Sequence, residues 1–95
     1  MTQEQKYNEA VEILKNHLRQ KHLRCTQERL VIVEQICSYK NHFTAEQLSE
    51  DLQHKLHLST ATIYNTLLLL EDCGLIRKLE SQAGTRFAQY ELLHE

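Results

Sequence analysis

The 95 residues predict a mainly α-helical domain of about four helices closed by a small β-hairpin. Three observations carry that prediction. Apolar residues recur at helical spacing as far as Cys73, three cap residues (Thr26, Thr44 and Ser59) divide that stretch, and after Gly74 the pattern changes from helical to alternating. A chain of this length has room for one core and not for two, so residues 1–95 are read as one domain.

Tyr7, Val11, Leu14 and Leu18 stand at i, i+4, i+7 and i+11, the stripe of an amphipathic helix from about Gln3 to Lys21, which "HLRCT" interrupts. Thr26 then caps a second helix, with Glu28 in its first turn, a buried side of Leu30, Val33, Ile36 and Cys37, and an end near Tyr39. "TAEQ", from Thr44 to Gln47, has the form of a capping box and opens a short third helix that buries Ala45, Leu48 and Leu52. A turn, "HKLHLS", leads to Ser59, the cap of a fourth helix that ends at Cys73, where Gly74 can take the left-handed conformation. "LIRKLE" and "TRFAQYEL" read as two strands around "SQAG". Helix, helix, short helix, turn, leucine-rich helix and hairpin is the order of a winged helix-turn-helix, with the hairpin from Leu75 to Leu92 as its wing.

The fourth helix is unlike a helix that only fills a core. On a wheel of about 100° per residue Ile63, Leu67 and Leu70 share one side, while Ala61, Tyr64 and Asn65 face the other. Leu68 and Leu69 widen the apolar surface, so the second half is expected to be enclosed and the first half, "STATIYN" with Thr66 after it, to stay free. That is how a recognition helix enters a major groove. Asn65 can pair with adenine, Tyr64 offers a ring and a hydroxyl, and Ser59, Thr60 and Thr62 can reach phosphates. The plainer alternative is that the three hydroxyl residues only cap the helix and that Tyr64 packs.

Net charge is -2, which favours no nucleic acid by itself, but the placement of cations matters more than their sum. Arg24 and Arg29 flank the Thr26 cap, and Arg77, Lys78 and Arg86 fall on the wing, whereas Glu46, Glu50 and Asp51 are expected on the outer side of the third helix. These residues make double-stranded DNA the expected partner, with a winged-helix protein-interaction module as the alternative. Catalysis is not expected: two isolated glycines cannot form a phosphate loop, and no nucleophile–base constellation is visible. No segment is apolar enough to cross a membrane and the N-terminus has no secretory pattern, so a cytoplasmic location is expected. Three cysteines without CxxC spacing read as reduced fillers of small apolar sites. The histidines compose no metal site by spacing: His17 and His22 lie about 140° apart on a helix, and His54 with His57 lacks a third ligand.

"LRCTQERLVIVEQI", "NHFTAEQLSEDL", "STATIYNTLLLLEDCGLIRKL" and "GTRFAQYEL" together resemble the N-terminal half of the ferric uptake regulator family of bacterial repressors, over roughly residues 23–92. The resemblance implies a winged-helix DNA-binding domain in which Tyr64 and Asn65 face bases, Arg24 approaches the minor groove or backbone, and Arg29, Ser59, Thr60 and Thr62 serve phosphates; Thr26 at the cap and Arg77 and Arg86 on the wing complete the expected DNA contacts by their placement. Many relatives carry arginine where this chain has Asn65, although asparagine occurs among peroxide-sensing members, so the base preferred there is left open. By the same resemblance His42 and Glu91 match ligands of a regulatory divalent metal (iron, manganese or zinc) in the full-length protein. The other ligands and a dimerisation domain would follow residue 95. No cofactor is expected in these residues alone, and the DNA partner is expected to be an A·T-rich inverted repeat read by a homodimer.

Overall fold

A computed structural model describes residues 2–40, 42–55, 57–79 and 89–93. Helix α1 spans Gln3–Gln20, α2 Gln27–Cys37, α3 Ala45–Leu52 and α4 Thr60–Asp72; the strands are β1 Phe43–Thr44, β2 Ile76–Leu79 and β3 Gln89–Leu92. Each helix begins where an oxygen-bearing side chain can take a free backbone amide. Thr2 accepts from Gln5 N at 3.2 Å, Thr26 from Arg29 N at 3.3 Å, Thr44 from Gln47 N at 3.0 Å and Ser59 from Thr62 N at 3.1 Å. A complete capping box forms at Thr2, where the Gln5 side chain accepts from the Thr2 amide in return. At Thr44, where a box was expected, only the threonine half is present among the described residues, and Thr44 itself belongs to β1.

Two helices end by one device. After α4, Gly74 N donates to Glu71 O and Leu75 N to Leu70 O, with Gly74 at φ 82°. After α1, His22 N donates to Arg19 O and Leu23 N to Leu18 O, with His22 at φ 60°. Both are Schellman endings, which need a left-handed residue just past the helix. Glycine supplies it without strain at the first, whereas a histidine adopts it at the second.

The core gathers Leu14 and Leu18 from α1, Ile32, Val33 and Ile36 from α2, Leu48 and Leu52 from α3, and Ile63, Leu67 and Leu70 from α4, with Ile76 and Tyr90 from the sheet. Burial departs from the sequence expectation at several positions. Ala10 faces the core from α1 while Tyr7 and Val11 are only partly covered, and in α2 Ile32 is buried with Val33, Ile36 and Cys37 whereas Leu30 is only partly covered. Thr66, expected in the free polar opening, is buried because its hydroxyl donates to Thr62 O at 2.8 Å and so needs no water. Leu68, expected to be enclosed, is 61% exposed, since the helical period carries it to the side opposite Ile63 and Leu67.

The wing is part of a three-stranded antiparallel sheet, not a two-stranded hairpin alone. Its order is β1-β3-β2, with Phe43 opposite Tyr90, Lys78 opposite Tyr90 and Arg77 opposite Glu91. Phe43 stacks with Tyr39 at 5.2 Å and with Tyr90 at 5.7 Å between ring centres, which fastens the start of α3 to the sheet. The loop "SQAG", the first part of the second expected strand and Arg86 lie outside the described residues. Cys37 is buried, Cys25 and Cys73 are partly buried, and all three are free thiols.

Candidate nucleic-acid interface

Helix α4 is seated by its buried side, so its other side is defined by subtraction. Ala61, Tyr64, Asn65 and Leu68 are exposed there, and Ser59 and Thr60 are exposed at its start. Thr62 is partly covered, and its hydroxyl lies 2.9 Å from that of Ser59. The two hydroxyls therefore close the cap between them and share a hydrogen bond.

Tyr64 and Asn65 lead to different surroundings. Tyr64 leans toward α3, where its hydroxyl donates to Glu46 Oε1 at 3.2 Å, and the residue remains 42% exposed. Partial burial and then the hydrogen bond to the Glu46 carboxylate hold its phenol above the ordinary tyrosine range. The acidic side chains of α3 are thus not all turned outward. Glu46 touches the exposed side of α4, because α3 and α4 pack closely enough at their N-terminal ends for the two to meet. Asp51 also faces inward, accepting from the Tyr39 hydroxyl at 2.5 Å and tying α3 to the end of α2.

On the other flank Asn65 borders a shallow concavity with Lys21, Leu23, Arg29, Leu68 and Glu71. The Arg29 guanidinium donates to the backbone carbonyl of Arg24, so it folds back over the turn between α1 and α2. Arg24 is exposed and Arg29 partly buried, consistent with a stem that packs and a head that stays available. Thr26, beside them, uses its hydroxyl for the Arg29 amide. Arg29 and Asn65 therefore share one concavity, while Tyr64 faces α3 on the other flank of the helix.

Arg77 is placed elsewhere. Its guanidinium pairs with Glu91 Oε1 at 2.5 Å across the β2–β3 ladder, and Glu91 Oε2 lies 3.4 Å from His42 Nε2. The short strand β1 is what delivers His42 to Glu91, since its pairing with β3 sets the residue before Phe43 beside the residue after Tyr90. One imidazole nitrogen and one carboxylate oxygen at that spacing fit a shared divalent ion, for which each bond is about 2.1 Å. They are two donors of the four or more such an ion takes, and no group of three His, Cys, Asp or Glu side chains able to hold a metal occurs among the described residues.

Sequence reasoning found the outward position of Tyr64 and Asn65 and missed Glu46. Helical period and caps carry the first, but the Glu46 contact joins residues 18 apart through tertiary packing and leaves no local signal. The Arg77–Glu91 pair did have one: opposite charges that face each other once the hairpin register is drawn.

The family model described as the ferric uptake regulator family matches residues 20–95. The chain is 35% identical over 72 residues to the peroxide-responsive repressor PerR of Staphylococcus epidermidis, which covers 74% of this chain and 48% of that protein. To the ferric uptake regulation protein of Campylobacter jejuni it is 29% identical over 92 residues, 94% of this chain and 57% of the relative. Among solved structures, PerR from Streptococcus pyogenes, described for peroxide sensing and gene regulation, superposes with a TM-score of 0.75 at 31% identity, over 90% of this chain and 56% of that one. The ferric uptake regulator of Pseudomonas aeruginosa, solved with manganese, gives 0.66 at 28% identity, over 82% and 58%. The chain spans about half the length of the curated relatives it matches.

Proposed function

This chain belongs to the ferric uptake regulator family, and from that premise we propose that residues 1–95 are the DNA-reading winged-helix domain of a longer, metal-responsive transcriptional repressor. The observation that carries the reading is the exposed side of α4, where Tyr64 and Asn65 stand clear of the core and Asn65 shares a concavity with Arg29, whose guanidinium is held at the Arg24 carbonyl. A residue that can pair with a base edge, next to guanidinium groups that can hold phosphates, is the division of labour DNA recognition uses.

In this reading α4 lies in the major groove. Asn65 pairs with a base, Tyr64 sets its ring against a thymine methyl or its hydroxyl against the backbone, and Ser59, Thr60 and Thr62 approach phosphates from the helix N-terminus, where backbone amides favour anions. Arg24, Arg29, Thr26, Arg77 and Arg86 serve the flanking backbone. Arg77 does so only by sharing its guanidinium with, or leaving, Glu91. A homodimer formed through a further domain would set two such helices about 34–36 Å apart, matching an inverted, A·T-rich repeat.

His42 and Glu91 would hold a divalent metal (iron, manganese or zinc) together with ligands from that further domain. Bound there, the ion would fix one geometry between domains and so favour the dimer that fits DNA. The protein's own part is to keep the imidazole and carboxylate adjacent through the β1–β3 pairing. No helix among the described residues is long and apolar enough to cross a membrane, and the family membership supports reading the protein as a cytoplasmic regulator without catalytic activity.

Leu68 at 61% and Leu23 at 44% exposure favour one competing reading, a protein-binding face on the same side of α4. Selection of duplexes from a random pool by the purified chain, followed by salt titration of the best and a scrambled site, separates the two. DNA reading predicts an enriched A·T-rich half-site, a negative salt slope, weak affinity for a single half-site and lost preference in Tyr64→Ala. No enrichment at low salt, even when the chain is artificially dimerised, would refute it in favour of the protein-binding face.

A further inference from the structure

The exposed side of α4 has an anion where a DNA-binding surface would be expected to have none. Glu46 is in the first turn of α3, and its carboxylate reaches across the groove between α3 and α4 to the Tyr64 hydroxyl at 3.2 Å. Glu50 and Thr60 line the same groove, and Glu46 has no lysine, arginine or histidine partner within ion-pair distance among the described residues. The helix N-terminus accounts for an acid at this place in α3, but not for its contact with a tyrosine on a neighbouring helix.

Resting on the reading of Tyr64 as a DNA contact, we propose that Glu46 is a specificity-determining residue that acts through Tyr64. It works in two ways that can be separated. As a hydrogen-bond acceptor it fixes the direction of the phenol, so the ring meets the groove already oriented and loses less side-chain freedom on binding. As a charge it opposes the phosphate backbone of any duplex, correct or not. The first effect helps only the site that the oriented ring fits. The second weakens all sites alike. Together they lower affinity overall and widen the interval between the right duplex and the wrong one.

Glu46→Gln keeps an acceptor oxygen and removes the charge, whereas Glu46→Ala removes both. In fluorescence-anisotropy titrations of the selected and a scrambled duplex, both variants should bind the scrambled duplex more tightly, by roughly threefold to tenfold. The ratio between the two duplexes should be kept in Glu46→Gln and fall by about fivefold or more in Glu46→Ala. In Tyr64→Phe, where the ring has no hydroxyl to orient, adding Glu46→Ala should leave the ratio unchanged. A readout without DNA accompanies these: in NMR titration of labelled tyrosine rings, the Tyr64 phenol should deprotonate at lower pH in Glu46→Ala than in the unsubstituted chain.

An unchanged Tyr64 titration would remove the contact and overturn the proposal. A duplex preference that Tyr64→Ala abolishes but Glu46→Ala leaves intact would overturn the proposal alone. No duplex preference in the unsubstituted chain would remove the DNA reading and this inference with it.

Discussion

Leu67 and Leu68 are neighbours on α4 and live in different solvents: Leu67 is 1% exposed and Leu68 61%. Leu67 shares its side with Ile63 and Leu70, which seat the helix on the core, while Leu68 shares its side with Ala61, Tyr64 and Asn65. A turn of about 100° per residue is all that separates them. One helix therefore holds the fold on one side and offers the candidate site on the other, so the two properties should respond to different substitutions.

The largest effect belongs to the buried side. Leu67→Ala should destabilise the chain by about 2–5 kcal/mol, since it removes a fully covered side chain from a core that cannot close the gap. Leu68→Ala should stay within about 0.5 kcal/mol, because little apolar surface leaves water there on folding. Urea unfolding of both variants checks this. Equal losses would break the comparison and mean that the exposed side is covered in solution.

Next is the opposite pattern. Asn65→Ala should leave the unfolding midpoint nearly unchanged, yet remove about 1–3 kcal/mol of discrimination at one base pair of the selected duplex. Competition binding with single-base variants of that duplex reads the loss directly. A uniform loss across all base pairs would make Asn65 a backbone contact and not a base reader.

The division between the two sides was largely legible in the sequence, for physical reasons that also explain where it was not. Caps are local chemistry, so Thr26, Thr44 and Ser59 marked three helix starts correctly, and Gly74 marked one end. His22 ends α1 by the same left-handed turn, but histidine carries no such signal. A run of four leucines erases periodicity, so the sequence pattern alone puts Leu68 with the covered residues. Strand β1 has two residues, too few to show alternation, yet its pairing is what sets His42 beside Glu91. Tyr64 and Asn65 followed from the helical wheel, whereas Glu46 reached Tyr64 only through packing.

Ser59 tests how independent the two sides are. Its hydroxyl accepts from Thr62 N at the very end of α4 that would enter a groove. Ser59→Ala should cost about 1 kcal/mol in unfolding and lower duplex affinity as well, because the first turn that carries Thr62 and precedes Tyr64 would fray. Ser59→Asp should restore the cap but not the affinity, since the new charge faces phosphates. Restored affinity in that variant would detach the start of α4 from the phosphate backbone.

The smallest effect is expected at the other end of the helix. Asp72 accepts from Lys21 Nζ at 2.8 Å and lies 3.0 Å from His17 Nε2, joining the end of α4 to α1. The Lys21 ammonium, through its hydrogen bond and charge, and then His17 hold the carboxyl below its ordinary value of 3.8. A carboxyl depressed in the folded state binds its proton more weakly there than in the unfolded chain. Its contribution is therefore complete above pH about 4 and is lost as the pH falls through the lowered native value. The Asp72 and Lys21 side chains are about half exposed, so salt should screen the effect further. Unfolding followed from pH 6 to pH 2 should show an acid limb that is slightly shallower in Asp72→Asn, and the difference between the two chains should shrink at high salt. A steeper limb in the variant would mean that Asp72 is repelled by the α4 C-terminus more than it is held by Lys21, and that the two ends of the helix differ in charge as well as in burial.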